Sequence, residues 1–424
     1  VTSEALAVYL DGTLIGALTQ SRQGQLGFSY DDSYLTLADP TPLSLAMPLR
    51  SGSYASRVVR AFIEGLLPDN QAVRDRWGTT YGVSPNNPFA LLRHVGRDAA
   101  GAVQIVPEGE SSSDAGPDVR QVEWLTDEDL VALVHDLAEH RSDWNPGRYA
   151  GRWSLAGAQS KVALFRAPDG SWGVPQGSTP TTHIVKPALE GFDDHHLNEV
   201  LCQRVARIMG LPAATSELLE VGDVRAIVST RYDRTADPQG RIRRLHQEDL
   251  CQALSVDPSR KYQADGGPGV GEIADLLTRL NLTDRVASAN RFLDALVYNV
   301  LIGGTDAHAK NYSLLLQGSR AQLAPLYDLA SAVAYPSDRP LESSMRIGDN
   351  RIMREISPTD WAKVGRRLGV GGDTAVARFG TLRDALPGAL DEGMSTLPAS
   401  TRRRAERLAE QITSHAESLA RSWR

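Results

Sequence analysis

Cysteine is almost missing from this chain. Its two cysteines in 424 residues, Cys202 and Cys251, lie in helix-like stretches and show no Cys-x-x-Cys spacing. That argues against a disulfide framework and a cysteine zinc site, and it fits a reducing compartment. An excess of basic charge is missing too, the formal net charge being −7. Such a surface is not one that coats nucleic acid or anionic membrane, although local basic patches remain compatible with it. No apolar run approaches the roughly 18 residues that a membrane span needs. The opening "VTSEALAVYLDGTL" has no basic stretch before its short apolar run, and Asp11 interrupts the run at once, so no secretory signal is expected. A cytoplasmic protein with no membrane partner is the expectation, and no internal repeat is visible.

What is present is an ordinary globular balance, 41% hydrophobic and 23% charged, over a length that exceeds one core and points to two or three domains. The first segment, 1–148, begins with strands around Asp11-Gly12, a hairpin signal. It turns helical in "ASRVVRAFIEGLLPDNQAVRDRW", where Val58, Val59, Phe62, Ile63, Leu66 and Leu67 form one apolar band that stops at Pro68. The strand "GAVQIV" then runs into the loop "PEGESSSDAGPDVRQ", and "SDWNPGRYAGRW" at 142–153 reads as a boundary. The second segment, 149–235, is strand-rich: "KVALFRAPDGSWGVP" is strand, turn, strand, "THIVKPA" is a strand cut off by Pro187, and "AIVSTRYDR" is another, with the helix "HHLNEVLCQRVARIMGLP" between. The third segment, 236–424, reads as all-helical and ends in the amphipathic "STRRRAERLAEQITSHAESLARSWR". The class is α+β.

The stretch "NVLIGGTDAHAKNYSLLL" is the most informative. A helix carrying Phe292, Leu293, Leu296, Val297, Val300 and Leu301 runs into Gly303-Gly304, and Asp306 and Asn311 follow five apart on a polar loop. This is the Asp-x-x-x-x-Asn spacing of a kinase catalytic loop, where the Asp accepts or orients the attacking hydroxyl and the Asn oxygen holds magnesium. Hard magnesium takes few protein oxygens, with phosphates and water completing six. Both residues are also common in turns, so the spacing alone leaves a plain turn open.

Downstream, "APLYDLASA" places Asp328 where a kinase carries its other metal-binding aspartate, with Leu329-Ala330 instead of Phe-Gly. Upstream, Lys186 ends a strand and Glu199 stands on the next helix, the order of a phosphate-contacting lysine and the glutamate that supports it. Taken alone, either residue is better read as a surface lysine or a solvated helix glutamate, but the four roles occur in kinase order.

Ahead of them "RWSLAGAQSKVALFR" stands where a kinase keeps its phosphate-covering loop, with neither of the usual glycine patterns. Ala156, Gly157 and Ala158 are small enough for backbone N–H groups to approach phosphates, and Lys161 can supply a point charge. A simple turn into a strand is the equal alternative. Ser154 has no Gly-x-Ser-x-Gly around it and no Ser-x-x-Lys partner, which argues against a hydrolase nucleophile. "DDHH" at 193–196 reads as helix capping, and "KYQADGGPGVGEI" as a lid or substrate loop. "RIRRLHQED" and "STRRRAER" read as solvated faces, with nucleic-acid contact as the alternative.

The ordered set "SLAGAQSK", "PTTHIVKP", "NEV", "RYDR", "HQEDLCQAL", "KYQADGGPG", "IGGTDAHAKN" and "LYDLASA" resembles the HipA family of bacterial serine/threonine-protein kinase toxins. "FIEGLLPDNQAVRDRW" is similar to that family's accessory subdomain, so the resemblance spans essentially the whole chain. It implies a two-lobed protein-kinase-like fold with an extra N-terminal α/β subdomain and an all-α C-terminal domain. It implies ATP and Mg2+ as cofactors, transfer of the γ-phosphate to a protein serine or threonine, and growth arrest. The partners it implies are a HipB-like helix-turn-helix antitoxin, operator DNA through or beside that antitoxin, and a translation-related substrate, with an aminoacyl-tRNA synthetase the best guess. The protein would be cytoplasmic, and nucleoid-associated when held by antitoxin and DNA.

By position, Asp306 matches the catalytic aspartate, Asn311 and Asp328 the metal-binding pair, and Lys186 the ATP-phosphate lysine. Ser154 matches the autophosphorylated serine of the phosphate loop, which also includes Ala156, Gly157, Ala158 and Lys161. Thr230, Arg231 and Tyr232 fall in the adenine-side hinge, and His308 and Lys310 fall among the ATP contacts. Two positions depart from the pattern: Thr230 stands where an acidic residue is common, and Ser160 where glutamate occurs. The alternative from another class is a DNA-bound corepressor whose kinase activity is lost or secondary. A metal-dependent phosphohydrolase using Asp306, His308 and Asp328 is a third reading.

Overall fold

A computed structural model of the chain describes residues 4–110, 121–140, 153–189, 191–222 and 224–421. Two compact units alternate along the chain: Val1–Pro187, Leu219–Ser259 and Leu315–Ser319 form the first, and Ala188–Leu218, Arg260–Leu314 and Arg320–Arg424 the second. The expected boundary at 142–153, apart from Trp153, and residues 111–120 of the expected loop lie outside the described residues.

In the first unit Glu4–Leu10 and Thr13–Gln20 pair as the expected hairpin. Asp11 and Gly12 both take positive φ, 45° and 79°, the two-residue turn that matches strand twist. The antiparallel sheet runs in the order Ser53–Tyr54, Leu26–Tyr30, Thr13–Gln20, Glu4–Leu10, Val103–Pro107. Alternation along the first strand buries Leu6, Val8 and Leu10, and the helices Ser56–Glu64, Gln71–Tyr81 and Pro88–Val95 add Phe62, Trp77 and Leu92 to the same core. A second sheet runs Ser216–Val221, Val224–Thr230, His183–Pro187, Val162–Arg166, Trp172–Pro175, Val122–Trp124. The helix Asp127–Glu139, opened by a Thr126/Asp129 capping box, buries Leu130, Leu133, Val134 and Leu137 beneath it. One continuous hydrophobic core serves both sheets.

The second unit is helix-rich. Its long helix Leu282–Ile302 is capped by Asn281, whose side chain accepts the Asp284 N–H, and buries Phe292, Leu296, Val297, Tyr298 and Leu301. Around it lie His195–Ile208, Val270–Leu277, Pro358–Leu368, Gly372–Ser395 and Arg402–Arg421. The Tyr298 hydroxyl donates to the Cys202 carbonyl at 2.6 Å, and Arg320 pairs with the buried Asp284 at 2.7 Å.

The stretch from 236 on is therefore not all-helical, as expected, but carries the strands Ile242–Arg244, His246–Asp249, Ser313–Gln317, Arg320–Leu323, Glu342–Ile347 and Asn350–Ile352. These strands run three to six residues, too short to impose a period of two on a helical background. Asp194 stands at the start of its helix but makes no side-chain cap, since its carboxylate takes Arg404 at 2.6 Å instead. The basic run at 241–244 is tied up internally: Arg241 pairs with Asp237, Arg243 with Asp11 and Arg244 with Asp98. No described helix is long and apolar enough to cross a membrane.

Candidate active site

The predicted site residues fall in both units. In the first unit the loop from Trp153 to Lys161 is wired into its surroundings. Ser154 is fully buried; its N–H donates to the Asp98 carbonyl at 2.9 Å and its hydroxyl to the Leu66 carbonyl at 2.6 Å. Gly157 sits at φ +107°, and its carbonyl accepts the Asp69 N–H at 3.1 Å. A Cβ there would lie 2.4 Å from Lys161 Nζ, so glycine lets the lysine fold over its own loop, where it donates to the Ala156 carbonyl at 2.7 Å. Ser160 donates to the Leu137 carbonyl at 3.1 Å and is buried, while Ala158 is exposed. The stretch is thus a tight loop whose small residues and lysine converge, and Ser154 is its anchor.

Lys186 is buried on the strand His183–Pro187, opposite Ile227. Thr230 is exposed at the end of the neighbouring strand, and Tyr232 is half-buried with its hydroxyl bonded to Gln247. Arg231 is engaged elsewhere, its guanidinium forking onto Asp233 at 2.8 and 2.9 Å and reaching Asp98. Arg234 and Arg244 close on Asp98 as well, at 2.9 and 3.1 Å. Burial alone would raise the Asp98 pKa, but the three guanidiniums hold the carboxyl well below the usual range. Arg231 therefore braces the segment after the strand Val224–Thr230 through ion pairs.

In the second unit the helix Leu282–Ile302 ends at Gly303, left-handed at φ +68°, and releases the chain into the Asp306–Asn311 loop. The Asp306 carboxylate is 68% exposed. Its carbonyl accepts the His308 N–H at 2.9 Å and the Asn311 side-chain amide at 2.6 Å, so the fifth residue folds back on the first. That bond engages Asn311 Nδ2 as donor and leaves its side-chain oxygen to accept a hydrogen bond or ligate a cation. His308 is buried beneath; burial pushes its pKa down to about 4, against the opposing pull of Asp306. Lys310 is buried, its carbonyl accepting the Tyr327 hydroxyl at 2.7 Å. Asp328 is exposed in the left-handed region at φ +51°. Just beyond it, Ser331 exchanges two hydrogen bonds with Asn198, and the Ala332 N–H donates to the Gly303 carbonyl at 2.9 Å. The catalytic-type loop and the Asp328 segment thus hang from the end of one helix.

Glu199 is buried on the helix His195–Ile208 and accepts from Gln203 at 3.0 Å. Lys186 and Glu199 fall in different units. Among the described residues no group of three or more His, Cys, Asp or Glu side chains could hold a metal. The Asn311 oxygen and the Asp328 carboxylate are hard oxygen donors, the few-ligand set that magnesium takes when phosphates and water supply the rest. Reading the sequence missed two residues. Asp98 lies in the unpatterned "VGRDAAG", and the hydroxyl of Tyr262, in the loop read as a lid, donates to Asp306.

These loops, borne on an α+β fold, define the class of a protein-kinase-like protein. The model of the HipA-like C-terminal domain matches residues 153–418, and that of the HipA N-terminal domain matches residues 6–106. The chain belongs to the HipA family. It is 38% identical to a putative kinase of Sinorhizobium fredii over 88% of this chain and 87% of that one. It is 29% identical to the serine/threonine-protein kinase toxin HipA of Shewanella oneidensis over 84% and 82% of the two chains. The structure of Shewanella oneidensis HipA in complex with HipB and operator DNA matches with a TM-score of 0.82 and 27% identity, covering 97% of this chain and 96% of that one.

Proposed function

We propose that the chain is an ATP-dependent serine/threonine-protein kinase and the toxin of a toxin–antitoxin pair. One observation carries the reading: the exposed Asp306 carboxylate, at kinase spacing from an Asn311 that folds back on it, in a member of the HipA family. Asp306 accepts the proton of the attacking hydroxyl. Asn311 and Asp328 hold Mg2+, which when bound neutralises phosphate charge. Lys186 contacts the ATP phosphates; the loop from Ser154 to Lys161 covers them, and Thr230 to Tyr232 line the adenine side. His308 and Lys310 hold the catalytic loop from below. The kinase relatives and the HipB–operator complex of the similar structure support a helix-turn-helix antitoxin and DNA as partners. The substrate is proposed to be a translation-related protein, an aminoacyl-tRNA synthetase first among candidates, phosphorylated in the cytoplasm.

The test is label transfer from γ-labelled ATP into a cell lysate, with phosphosites identified. Asp306→Gln should abolish transfer and growth arrest while leaving the melting temperature unchanged. Full activity in that variant would remove the assignment. The presence of operator DNA in the similar complex favours one second reading, a DNA-bound corepressor with idle kinase parts. Intact operator binding beside the antitoxin without any label transfer would select it.

A further inference from the structure

The loop "RKYQADGGPG" brings a second hydroxyl to the catalytic aspartate. Tyr262 donates its phenol to Asp306 Oδ1 at 2.5 Å, and its ring stands edge-on to the His308 imidazole with centroids 4.8 Å apart. His308 Nε2 lies 4.0 Å from the same Oδ1. One oxygen of the carboxylate thus takes the phenol, with the imidazole close by but beyond hydrogen-bond distance, while the carboxylate as a whole faces solvent.

The loop behind the phenol is built to stay in place. The Tyr262 carbonyl accepts N–H groups from Asp265 and Gly267 at 3.0 and 2.9 Å, and Arg260 reaches the Gly266 carbonyl at 3.0 Å. Gly266 is left-handed at φ +81°, and a Cβ on Gly267 would lie 2.0 Å from the Arg260 carbonyl oxygen, so the turn closes only with glycine at both positions. Gln263 accepts the Arg346 N–H at 2.7 Å, and the Gly269 N–H donates to Glu272 at 3.0 Å. The Ala309 N–H donates to the Lys261 carbonyl at 3.4 Å, which ties this loop directly to the catalytic one. Such wiring ties the loop to the catalytic one and to the strand Glu342–Ile347.

We propose that Tyr262 is a positioning residue for phosphotransfer: its hydroxyl fixes the Asp306 carboxylate so that Oδ2 faces the incoming substrate hydroxyl. The proposal rests on the kinase reading above. In the step it serves, the substrate hydroxyl oxygen bonds to the γ-phosphorus of a nucleoside triphosphate. The bond from that phosphorus to the β,γ-bridging oxygen breaks with its electron pair left on the diphosphate, and the hydroxyl proton passes to Asp306 Oδ2. Tyr262 keeps its own proton throughout. Rotation about the terminal bond of an aspartate is soft, so a carboxylate held at one oxygen is confined where a free one is not.

The test uses the full chain as wild type, Tyr262→Phe and Asp306→Asn, with initial rates of phosphate transfer from γ-labelled ATP into casein and into the chain itself. Binding of a fluorescent ATP analogue and the melting temperature are measured beside them. Tyr262→Phe should lower kcat by about 10- to 100-fold, with KM for ATP, analogue affinity and melting temperature unchanged. A wild-type kcat in Tyr262→Phe overturns the proposal alone, provided that the wild type is active and Asp306→Asn is dead. A faster Tyr262→Phe also overturns it, showing that the phenol occupies the place of the substrate hydroxyl. A wild type that labels nothing removes the proposal and the kinase reading together.

Discussion

Asp98 illustrates how much a single side chain outside any motif can hold. Its carboxylate takes Thr181 at 2.6 Å and three guanidiniums, while its carbonyl takes the Ser154 N–H. Asp98→Asn should cost about 3–5 kcal/mol, because it leaves buried arginines with one carboxylate fewer. A denaturant midpoint would register the loss, and a weaker ATP-analogue affinity would show that the Ser154 loop moves with it. Ser154 itself has no room for a phosphate: its hydroxyl is buried and bonded to Leu66. Phosphorylation would place about −1.5 to −2 charges there and break that bond. Phosphorylated protein should therefore lose ATP affinity and gain protease cleavage within 153–161, and unchanged values for both would count against a self-inactivating switch. Ser154 was legible because its loop stands in motif order. Asp98 was not, since burial and ion pairing are made by residues more than a hundred positions away in sequence.

At the scale of elements, the second half of the helix Leu282–Ile302 was readable, from its apolar period at Phe292 to its glycine stop, but its Asn281 cap was not. That stop is also a joint. Gly303 is left-handed, and a Cβ there would meet Val333 Cγ1 at 2.6 Å. Gly303→Ala should combine about 1–2 kcal/mol of backbone strain with a clash that shifts the segment carrying Asp328. Gly240→Ala is the control, at φ +78° with nothing within 4 Å of the new methyl. A urea midpoint no lower in Gly303→Ala than in Gly240→Ala would show that the joint tolerates the added methyl. The short strands after 236 were illegible for a different reason: their pairing is set by tertiary neighbours, and charged residues such as Arg243 sit within them. The Tyr262 loop was visible as glycine-rich, but the aim of its phenol is decided by contacts that no spacing encodes.

For the whole molecule, stability against pH is set by buried groups of opposite tendency in one strand. Burial raises Glu248 from 4.5 to about 8, so the folded protein keeps a proton that the unfolded chain releases, and stability falls as pH rises across that range. Burial lowers His246 from 6.5 to about 4, so the unfolded chain takes a proton that the folded protein refuses, and stability falls as pH drops from 6.5 to 4. Asp98, with its pKa depressed, adds to the acid loss as pH falls below the ordinary carboxylate range. Glu248→Gln should therefore flatten the melting temperature between pH 6.5 and 8 and steepen its fall below pH 6.5, where Glu248 and His246 otherwise oppose each other, as calorimetry across both ranges would register.

The order of motifs made the kinase-like plan legible, yet nothing in the order disclosed that the units interleave. The chain passes from one unit to the other after Pro187, Leu218, Ser259, Leu314 and Ser319. No single cut can then release either unit in one piece. A fragment starting at 236 would carry Gln252 and His246 away from the Phe62 and Leu43 carbonyls they bond in the first unit. Anyone seeking a minimal kinase from this protein must rejoin segments by circular permutation or new linkers, since truncation leaves each half threaded through the other's sequence.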